Sequence, residues 1–151
     1  MTARIPDARV DALEIRPGSG QGRLVETVGD GSEGHMLLVS TLVAFPTSLA
    51  YYVASGVADR EGIGKDESGF RYPTDELDPG EEPFDDVDVY NPLGAVFVSI
   101  PAFERLMARY LRCLATVATA THDAVIDAPW WPDFLGAVDI IEARVEPSTA
   151  L

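Results

Sequence analysis

Alternating apolar and polar residues predict two β-hairpins in this chain. Residues 12–16 and 23–28 place apolar side chains at alternate positions, which is the period of a strand with one buried face. A glycine-rich stretch separates these two segments and can close them into a hairpin. The runs 87–90 and 95–99 flank the turn Asn91–Gly94, so a second hairpin is expected there.

The strongest periodic signal predicts a long amphipathic helix near residues 100–122. Apolar side chains recur there at helical spacing for four turns or more, and Pro101 is a residue that the first helical turn tolerates. At about 100° per residue, three arginines share the opposite face: Arg105, Arg109 and Arg112. This arginine row either is a solvated face or holds part of an acidic loop against the body of the protein.

An uncharged stretch, Met36–Ala58, is long enough in principle to span a bilayer. Pro46 divides it into Met36–Phe45, which could be strand or helix, and Thr47–Val57, whose apolar residues share one helical face. Ser and Thr side chains interrupt the stretch and no Lys or Arg cluster flanks it, so we expect two buried elements and no membrane partner. The N-terminal residues lack the apolar core of a signal peptide, which favours a cytoplasmic protein.

A last helix is expected to begin near Pro132 and to end at Pro147. Its apolar stripe consists of Phe134, Val138, Ile141 and Val145. Trp130 and Trp131 precede it in a proline-bounded turn. Large aromatic side chains in such a turn commonly fill the space between two helices, and we expect this for at least one of the pair. Tryptophan is also enriched at the centre of protein interfaces, so both are candidate partner contacts.

Together these elements predict an α+β fold, with a small antiparallel sheet of two hairpins packed against two or three helices, including the long helix near 100–122. A length of 151 residues suits one domain, and we expect residues 1–151 to form it. Residues 59–84 show no periodicity and contain four Gly and three Pro. A long acidic loop is therefore predicted over 59–84.

The charge of the chain is concentrated in residues 59–88, where twelve carboxylates and three cations give −9 out of a total of −14. Binding of DNA or RNA depends on Lys and Arg that neutralise phosphates, so nucleic acid is not an expected partner. A basic protein surface is the partner that such a charge density attracts. The predicted partner-binding residues are Asp75, Glu76, Asp78, Glu81, Glu82, Asp85, Asp86, Asp88, Trp130 and Trp131.

No motif selects a catalytic residue, a metal site or a cofactor. Gly29–Gly34 has the G-x-G-x-x-G spacing of a dinucleotide-binding loop, but Asp30 and Glu33 would then lie beside the pyrophosphate, where bare amides are needed. The two histidines lack the further ligands that a metal site requires, and the acidic run does not have the spacing of a calcium-binding loop. We therefore expect a protein that is not an enzyme and that uses no metal or cofactor.

The acidic run from Asp75 to Asp88, the hairpin that follows it and the closing Trp130-Trp131-Pro132 resemble the immunity proteins of bacterial polymorphic toxin systems. The resemblance concerns composition and layout, and it carries no family site residues to this chain. It implies that an acidic face covers the basic surface of a toxin and uses charge for fast, selective capture. The use of one Lys against ten Arg is typical of a GC-rich bacterial genome.

Two other classes of protein fit the same pattern. An adaptor or secretion chaperone is also small, acidic and often dimeric, and it would use apolar grooves as well as charge. A structural subunit of a phage or injection particle would carry a long acidic loop that becomes ordered on assembly. A homodimer is therefore kept as an alternative, whereas the identity of the partner is not specified by the residues.

Overall fold

A computed structural model of the chain describes residues 3–20 and 23–145. It shows an α+β fold with strands, helices and two short 3₁₀ turns (Thr47–Leu49 and Ala124–Asp127). In chain order the strands and helices are β1 (Ala3–Arg4), α1 (Asp7–Asp11), β2 (Glu14–Gly20), β3 (Arg23–Val28), α2 (Glu33–Val43), α3 (Ala50–Asp59), β4 (Ile63–Lys65), β5 (Ser68–Arg71), β6 (Val87–Asn91), β7 (Gly94–Val98), α4 (Ile100–Ala120) and α5 (Trp131–Val145).

The α+β class and both predicted hairpins are confirmed, since β2 pairs with β3 and β6 pairs with β7 in antiparallel fashion. The two hairpins lie in separate sheets, however. β2 and β3 stand alone, whereas the other five strands form a mixed sheet in the order β1-β7-β6-β5-β4, with β1 parallel to β7. Alternation and turn residues report pairing within a hairpin, but the outer neighbours of that hairpin come from distant parts of the chain.

The two helices predicted near residues 100–122 and 132–147 are confirmed as α4 and α5. α4 begins after Ser99, whose side-chain oxygen accepts a hydrogen bond from the Ala102 amide at 3.2 Å. α5 buries Phe134, Val138 and Ile141 of the predicted stripe, and its predicted end at Pro147 lies outside the described residues.

The uncharged stretch forms two helices, α2 and α3, so the ambiguous element Met36–Phe45 belongs to a helix. The side chain of Ser32 caps α2 by accepting a hydrogen bond from the His35 amide at 3.3 Å. No single helix in the described part of the chain is long and apolar enough to cross a membrane; only α2 taken together with the segment Thr47–Asp59 has the length and composition, with a bend of 83° between them.

The long loop predicted over 59–84 is wrong for its first half, because β4 and β5 lie within it and complete the five-stranded sheet. β5 is a central strand, and its Phe70 is 3% exposed in contact with Phe103 of α4, with 4.9 Å between ring centroids. These strands escape a periodicity search because they are three and four residues long and contain glycine.

Glycine in β4 and β5 makes room for an aromatic ring on the outer face of the sheet, the face turned away from the helices. Gly64, Gly69 and Tyr90 are directly opposite one another across three strands. A Cβ atom at Gly64 or at Gly69 would lie 2.8 Å from the Tyr90 hydroxyl, and at Gly69 it would also collide with the Ile63 carbonyl. The sheet therefore depends on glycine at these two positions, because the lack of a side chain there lets the Tyr90 ring extend over β5 and β4.

The core lies between the inner face of this sheet and the helices. Its central row crosses four strands at Ile63, Phe70, Val89 and Val96, all buried. α4 supplies a stripe against this row that includes Phe103, Leu106 and Met107. The arginine row of α4 consequently points to the side of the helix away from the sheet.

We expect Gly69→Ala to lower the free energy of unfolding by about 1–3 kcal/mol, because the new methyl group has no space against the Ile63 carbonyl and the Tyr90 hydroxyl. Gly136→Ala is the matched control. It lies in α5 with no atom within 4 Å of the new Cβ, so it should raise stability by about 0.4–1 kcal/mol. Urea unfolding of both variants measures the two effects, and a neutral Gly69→Ala would contradict the packing described for Tyr90.

Candidate functional site

One row of side chains crosses the outer face of the five-stranded sheet. The register places Arg4 opposite Phe97. Phe97 in turn lies opposite Asp88, which lies opposite Arg71. Side chains directly opposite one another in neighbouring strands project to the same face. The outer row is therefore a cation, an aromatic ring, a carboxylate and a second cation.

The acidic segment, residues 73–86, contacts three of the four residues of this outer row: Arg4, Phe97 and Arg71. Asp86 forms an ion pair with Arg4, with 3.1 Å between Oδ2 and Nε. Two residues earlier, the Phe84 ring packs on the Phe97 ring with 5.7 Å between centroids. The segment thus has an apolar contact beneath it as well as charge, and the second half of the predicted loop lies against the sheet.

Arg71 is the main attachment of the acidic segment. Its guanidinium donates two hydrogen bonds to Glu81, at 2.8 and 2.6 Å, and two to Asp88, at 3.2 and 2.7 Å. The same group lies 5.1 Å from the centroid of the Phe84 ring, within cation–π distance. Asp88 is 7% exposed, and its Oδ1 has no hydrogen-bond partner in the described part of the chain. Arg71 therefore supplies the counter-charge that this buried carboxylate needs.

The Arg71–Glu81 contact favours the charged form of both side chains, because it raises the pKa of Arg71 and lowers that of Glu81. Hydrogen bonding to Glu81 raises the pKa of Arg71 further above its usual range, and the contact with Asp88 adds to the effect. Hydrogen bonding from Arg71 lowers the pKa of Glu81 to about 2, helped by the Asp78 amide, which donates to Glu81 at 3.0 Å. Both groups stay ionised through the neutral range.

Asp75 fastens the start of the acidic segment. Its carboxylate accepts hydrogen bonds from the Gly62 amide, at 2.9 and 3.2 Å, and from the Tyr72 amide at 2.6 Å. It therefore joins the end of β5 to the chain that enters β4 and has few acceptor sites left for a partner.

A buried carboxylate on α4 fixes the residue next to Arg71. Glu104 is 2% exposed and accepts a hydrogen bond from the Tyr72 hydroxyl at 3.0 Å. It also accepts two from Arg60, at 3.0 and 2.8 Å, and one from Arg144 at 3.0 Å. Burial raises the pKa of Tyr72, and the adjacent Glu104 charge raises it further, so the phenol stays a hydrogen-bond donor.

The Glu104 cluster also closes the end of α3. Arg60 has a left-handed backbone (φ 54°) just after this helix, and its amide donates to the Val57 carbonyl. Arg144 of α5 donates to the carbonyls of Val57 and Ala58 in the same turn. One carboxylate therefore connects α3, α4, α5 and the end of β5.

The structure divides the eight predicted carboxylates into two groups of four. Asp75, Glu81, Asp86 and Asp88 have partners within the protein, as described above, and hold the acidic segment in place. The other four are exposed, and in the described part of the chain none of their side chains forms a hydrogen bond or ion pair: Glu76, Asp78, Glu82 and Asp85. Only this second group is available in full to a partner.

The two tryptophans are also divided. Trp131 is 7% exposed and stacks on Phe134 with 4.9 Å between ring centroids, so it is part of the core. Trp130 is half-buried and stacks on Tyr51 of α3 with 6.4 Å between centroids. Trp131 is therefore buried, as expected for at least one of the pair, and it is not accessible as a partner contact.

The arginine row of α4 does not contact the acidic segment, and that alternative is wrong. Its members bind α1, the residues that follow α1, and α5. The partners are Asp11 for Arg105, the carbonyls of Val10 and Leu13 for Arg109, and Asp139 and Glu142 for Arg112. Sequence reasoning missed Arg71 as the residue that holds the segment. Its signal was a cation inside the acidic run, but only the strand register shows what lies opposite it.

Within residues 3–20 and 23–145, no group of three or more His, Cys, Asp or Glu side chains is arranged to hold a metal ion. His35 is buried and structural. Its Nδ1 accepts a hydrogen bond from the Asp30 amide at 2.9 Å, and its Nε2 donates to the Arg9 carbonyl at 2.6 Å.

Comparisons with models of known protein families, with curated proteins and with solved structures found no match. No residue role is therefore carried over to this chain from a relative. The arrangement that stands out is a carboxylate-rich segment held by Arg71, Arg4 and Phe97, with four carboxylates exposed.

We expect Arg71→Met to lower the free energy of unfolding by about 3 kcal/mol, because Asp88 would lose its counter-charge while still buried. Amide hydrogen exchange should become faster across residues 73–86. Lys65→Gln is the control for loss of one positive charge, since the ion pair of Lys65 is with exposed Asp66, and it should change stability by less than about 1 kcal/mol. Unchanged exchange in Arg71→Met would contradict the assigned role of Arg71.

The depressed pKa of Glu81 makes its contribution to stability dependent on pH. A carboxylate whose pKa is lower in the folded state stabilises the fold above its unfolded pKa and loses that effect as the pH falls through its folded pKa. The stability difference between the protein and Glu81→Gln should therefore be full above pH 4.5 and shrink between pH 4.5 and about 2. Urea unfolding across this range measures the difference, and one that grows on acidification would contradict the Arg71–Glu81 pairing.

Proposed function

We propose that this chain is an acidic protein-binding module that captures a basic protein surface, and that its biological class is an immunity protein that neutralises a cognate toxin. The observation that carries the proposal is that some acidic residues are paired within the protein while others are exposed. One set binds Arg71 and Arg4 and orders the segment, while Glu76, Asp78, Glu82 and Asp85 remain exposed.

Ordering of the acidic segment is what favours specific capture over general charge attraction. A flexible acidic tail loses conformational entropy each time it binds, and this loss weakens the complex. Here the segment loses this conformational entropy during folding and not on binding, because Asp75 fixes one end of it and Asp86 the other. A preordered negative surface accelerates encounter with a basic partner and keeps the bound orientation defined.

The immunity class accounts for a high negative charge, an ordered acidic surface and a binding role without requiring chemistry from the chain itself. Such a protein would act by covering the basic active surface of its toxin in the cytoplasm of the producing cell. The chain's charge of −14 matches a strongly basic target.

A second class, the adaptor or secretion chaperone, is favoured by one specific observation. α2 exposes two large apolar side chains seven residues apart, Met36 at 52% and Val43 at 55%, so they lie on the same side of the helix. An adaptor would bind its client through this apolar face, and the resulting complex would be insensitive to salt or strengthened by it.

The decisive experiment uses a variant in which Glu76, Asp78, Glu82 and Asp85 are all replaced by Lys. We expect the unmodified protein to capture a basic protein from the native host, identified by mass spectrometry and then purified. Its association rate should fall steeply between about 50 and 500 mM salt, because the attraction is screened. The reversal variant should bind at least about a hundredfold more weakly.

The control variant replaces four exposed carboxylates outside the acidic segment with Lys, so that both variants have the same net charge: Glu14, Glu33, Asp127 and Asp133. This control should retain most of the binding, and both variants should unfold cooperatively. If the control weakens binding as much as the reversal, total charge and not the ordered segment governs capture. Salt-insensitive binding that is lost in Met36→Lys would favour the adaptor class.

A further inference from the structure

Basic residues are concentrated on one side of this acidic protein. Two adjoining clefts, of about 640 and 260 Å³, share Arg105 and Val145 in their walls. Five of the eleven basic residues of the chain line them: Arg60, Arg105, Arg109, Arg112 and Arg144. Three carboxylates line the same clefts, which leaves a local charge of +2 in a chain of −14. The larger cleft alone has three arginines and two carboxylates, and Asp139, a further partner of Arg112, balances the third arginine.

The outer arginines of the larger cleft are held in fixed positions by flanking carboxylates. Arg105 donates two hydrogen bonds to Asp11, both at 3.0 Å. Arg112 donates two to Glu142, at 3.0 and 2.6 Å, and one to Asp139 at 2.8 Å. These side chains project from α4, which keeps their guanidinium groups on one side of the cleft.

Arg109, which lies between them on α4, is held by backbone carbonyls and not by a carboxylate among the described residues. It donates to the Leu13 carbonyl at 2.8 Å and more weakly to the Val10 carbonyl at 3.4 Å. Among residues 3–20 and 23–145 no carboxylate lies within ion-pair distance of it. It is half-buried, and burial, which costs the charged group part of its solvation, lowers the pKa of Arg109, while the nearby charge of Asp11 raises it. An anion in the cleft would relieve this cost.

The remaining wall of the larger cleft is apolar. Ile15, Ala108, Cys113 and Val145 line it together with the charged residues, and its volume falls in the range of small-molecule sites. We propose that this cleft binds a small organic anion, whose phosphate or carboxylate group meets Arg109 and whose apolar part lies on Ile15, Ala108 and Val145. The site is separate from the acidic segment, which lies on the outer face of the sheet.

The experiment uses phenyl phosphate as the probe, with inorganic phosphate and phenol as its charged and apolar parts. Nuclear magnetic resonance at low salt follows the side-chain Nε–H signals of the arginines during titration. We expect saturable shifts at Arg105, Arg109 and Arg112 with phenyl phosphate, weaker binding of phosphate alone, and no shift of these signals with phenol. Scattered, non-saturating shifts over all arginines would overturn the proposal.

A pair of variants tests the role of Arg109 without removing any native hydrogen bond. Cys113 lies one helical turn after Arg109 and lines the same cleft, so Cys113→Glu places an internal carboxylate next to the proposed anion site. It should weaken phenyl phosphate binding by at least about tenfold. Cys113→Gln has the same size without the charge and should bind like the unmodified protein.

Ser48→Glu provides the control for net charge, since it adds one negative charge at an exposed position outside both clefts. It should leave the affinity within about twofold, because exposed charges at a distance are screened. Equal losses in Ser48→Glu and Cys113→Glu, or unchanged affinity in Cys113→Glu, would overturn the proposal. Neither result bears on capture of a basic protein, so the two proposals fail independently.

Discussion

The contact on which the other features depend is the burial of one carboxylate, Glu104, among three donors from different parts of the chain. A buried charge is tolerated only when it is paired and hydrogen-bonded, and Arg60, Arg144 and the Tyr72 hydroxyl together meet that requirement. Each donor belongs to a different element, so satisfying the carboxylate brings α3, α5 and the end of β5 to α4. Removing any donor would leave charge in the core with fewer partners.

Adjacent residues at the end of β5 connect this core cluster to the protein surface. Successive side chains of an extended segment point to opposite faces, so Tyr72 reaches inward to Glu104 while Arg71 reaches outward to Glu81 and Asp88. The acidic segment is thereby attached to a strand whose own position is fixed from inside. A surface that carries many like charges would otherwise repel itself and remain extended. Ordered exposed carboxylates are thus a consequence of internal pairing.

The pairing of charged side chains leaves a different kind of charge in excess on two sides of the protein. On the outer face of the sheet, Arg71 and Arg4 are outnumbered, and the excess carboxylates face the solvent. In the two clefts beside α4, arginines slightly outnumber carboxylates, and Arg109 donates hydrogen bonds only to carbonyl groups among the described residues. The unpaired charge therefore differs in sign between these two sides of an acidic protein. A basic protein and a small anion would bind to different sides of it.

The amino-acid sequence by itself determined the class of fold, the two hairpins, α4 and α5, because alternation, helical spacing, turn residues and caps act over a few neighbouring positions. It also located the acidic segment by composition. Only the tertiary structure decided that Ile63–Arg71 forms two strands, that Arg71 and not the α4 row holds the acidic segment, and that Asp88 is buried while Asp85 is exposed. The physical reason is that ion pairing and burial depend on residues far apart in the chain. The register of the strands, which brings such residues together, is set by packing and leaves no pattern among neighbouring positions of the sequence.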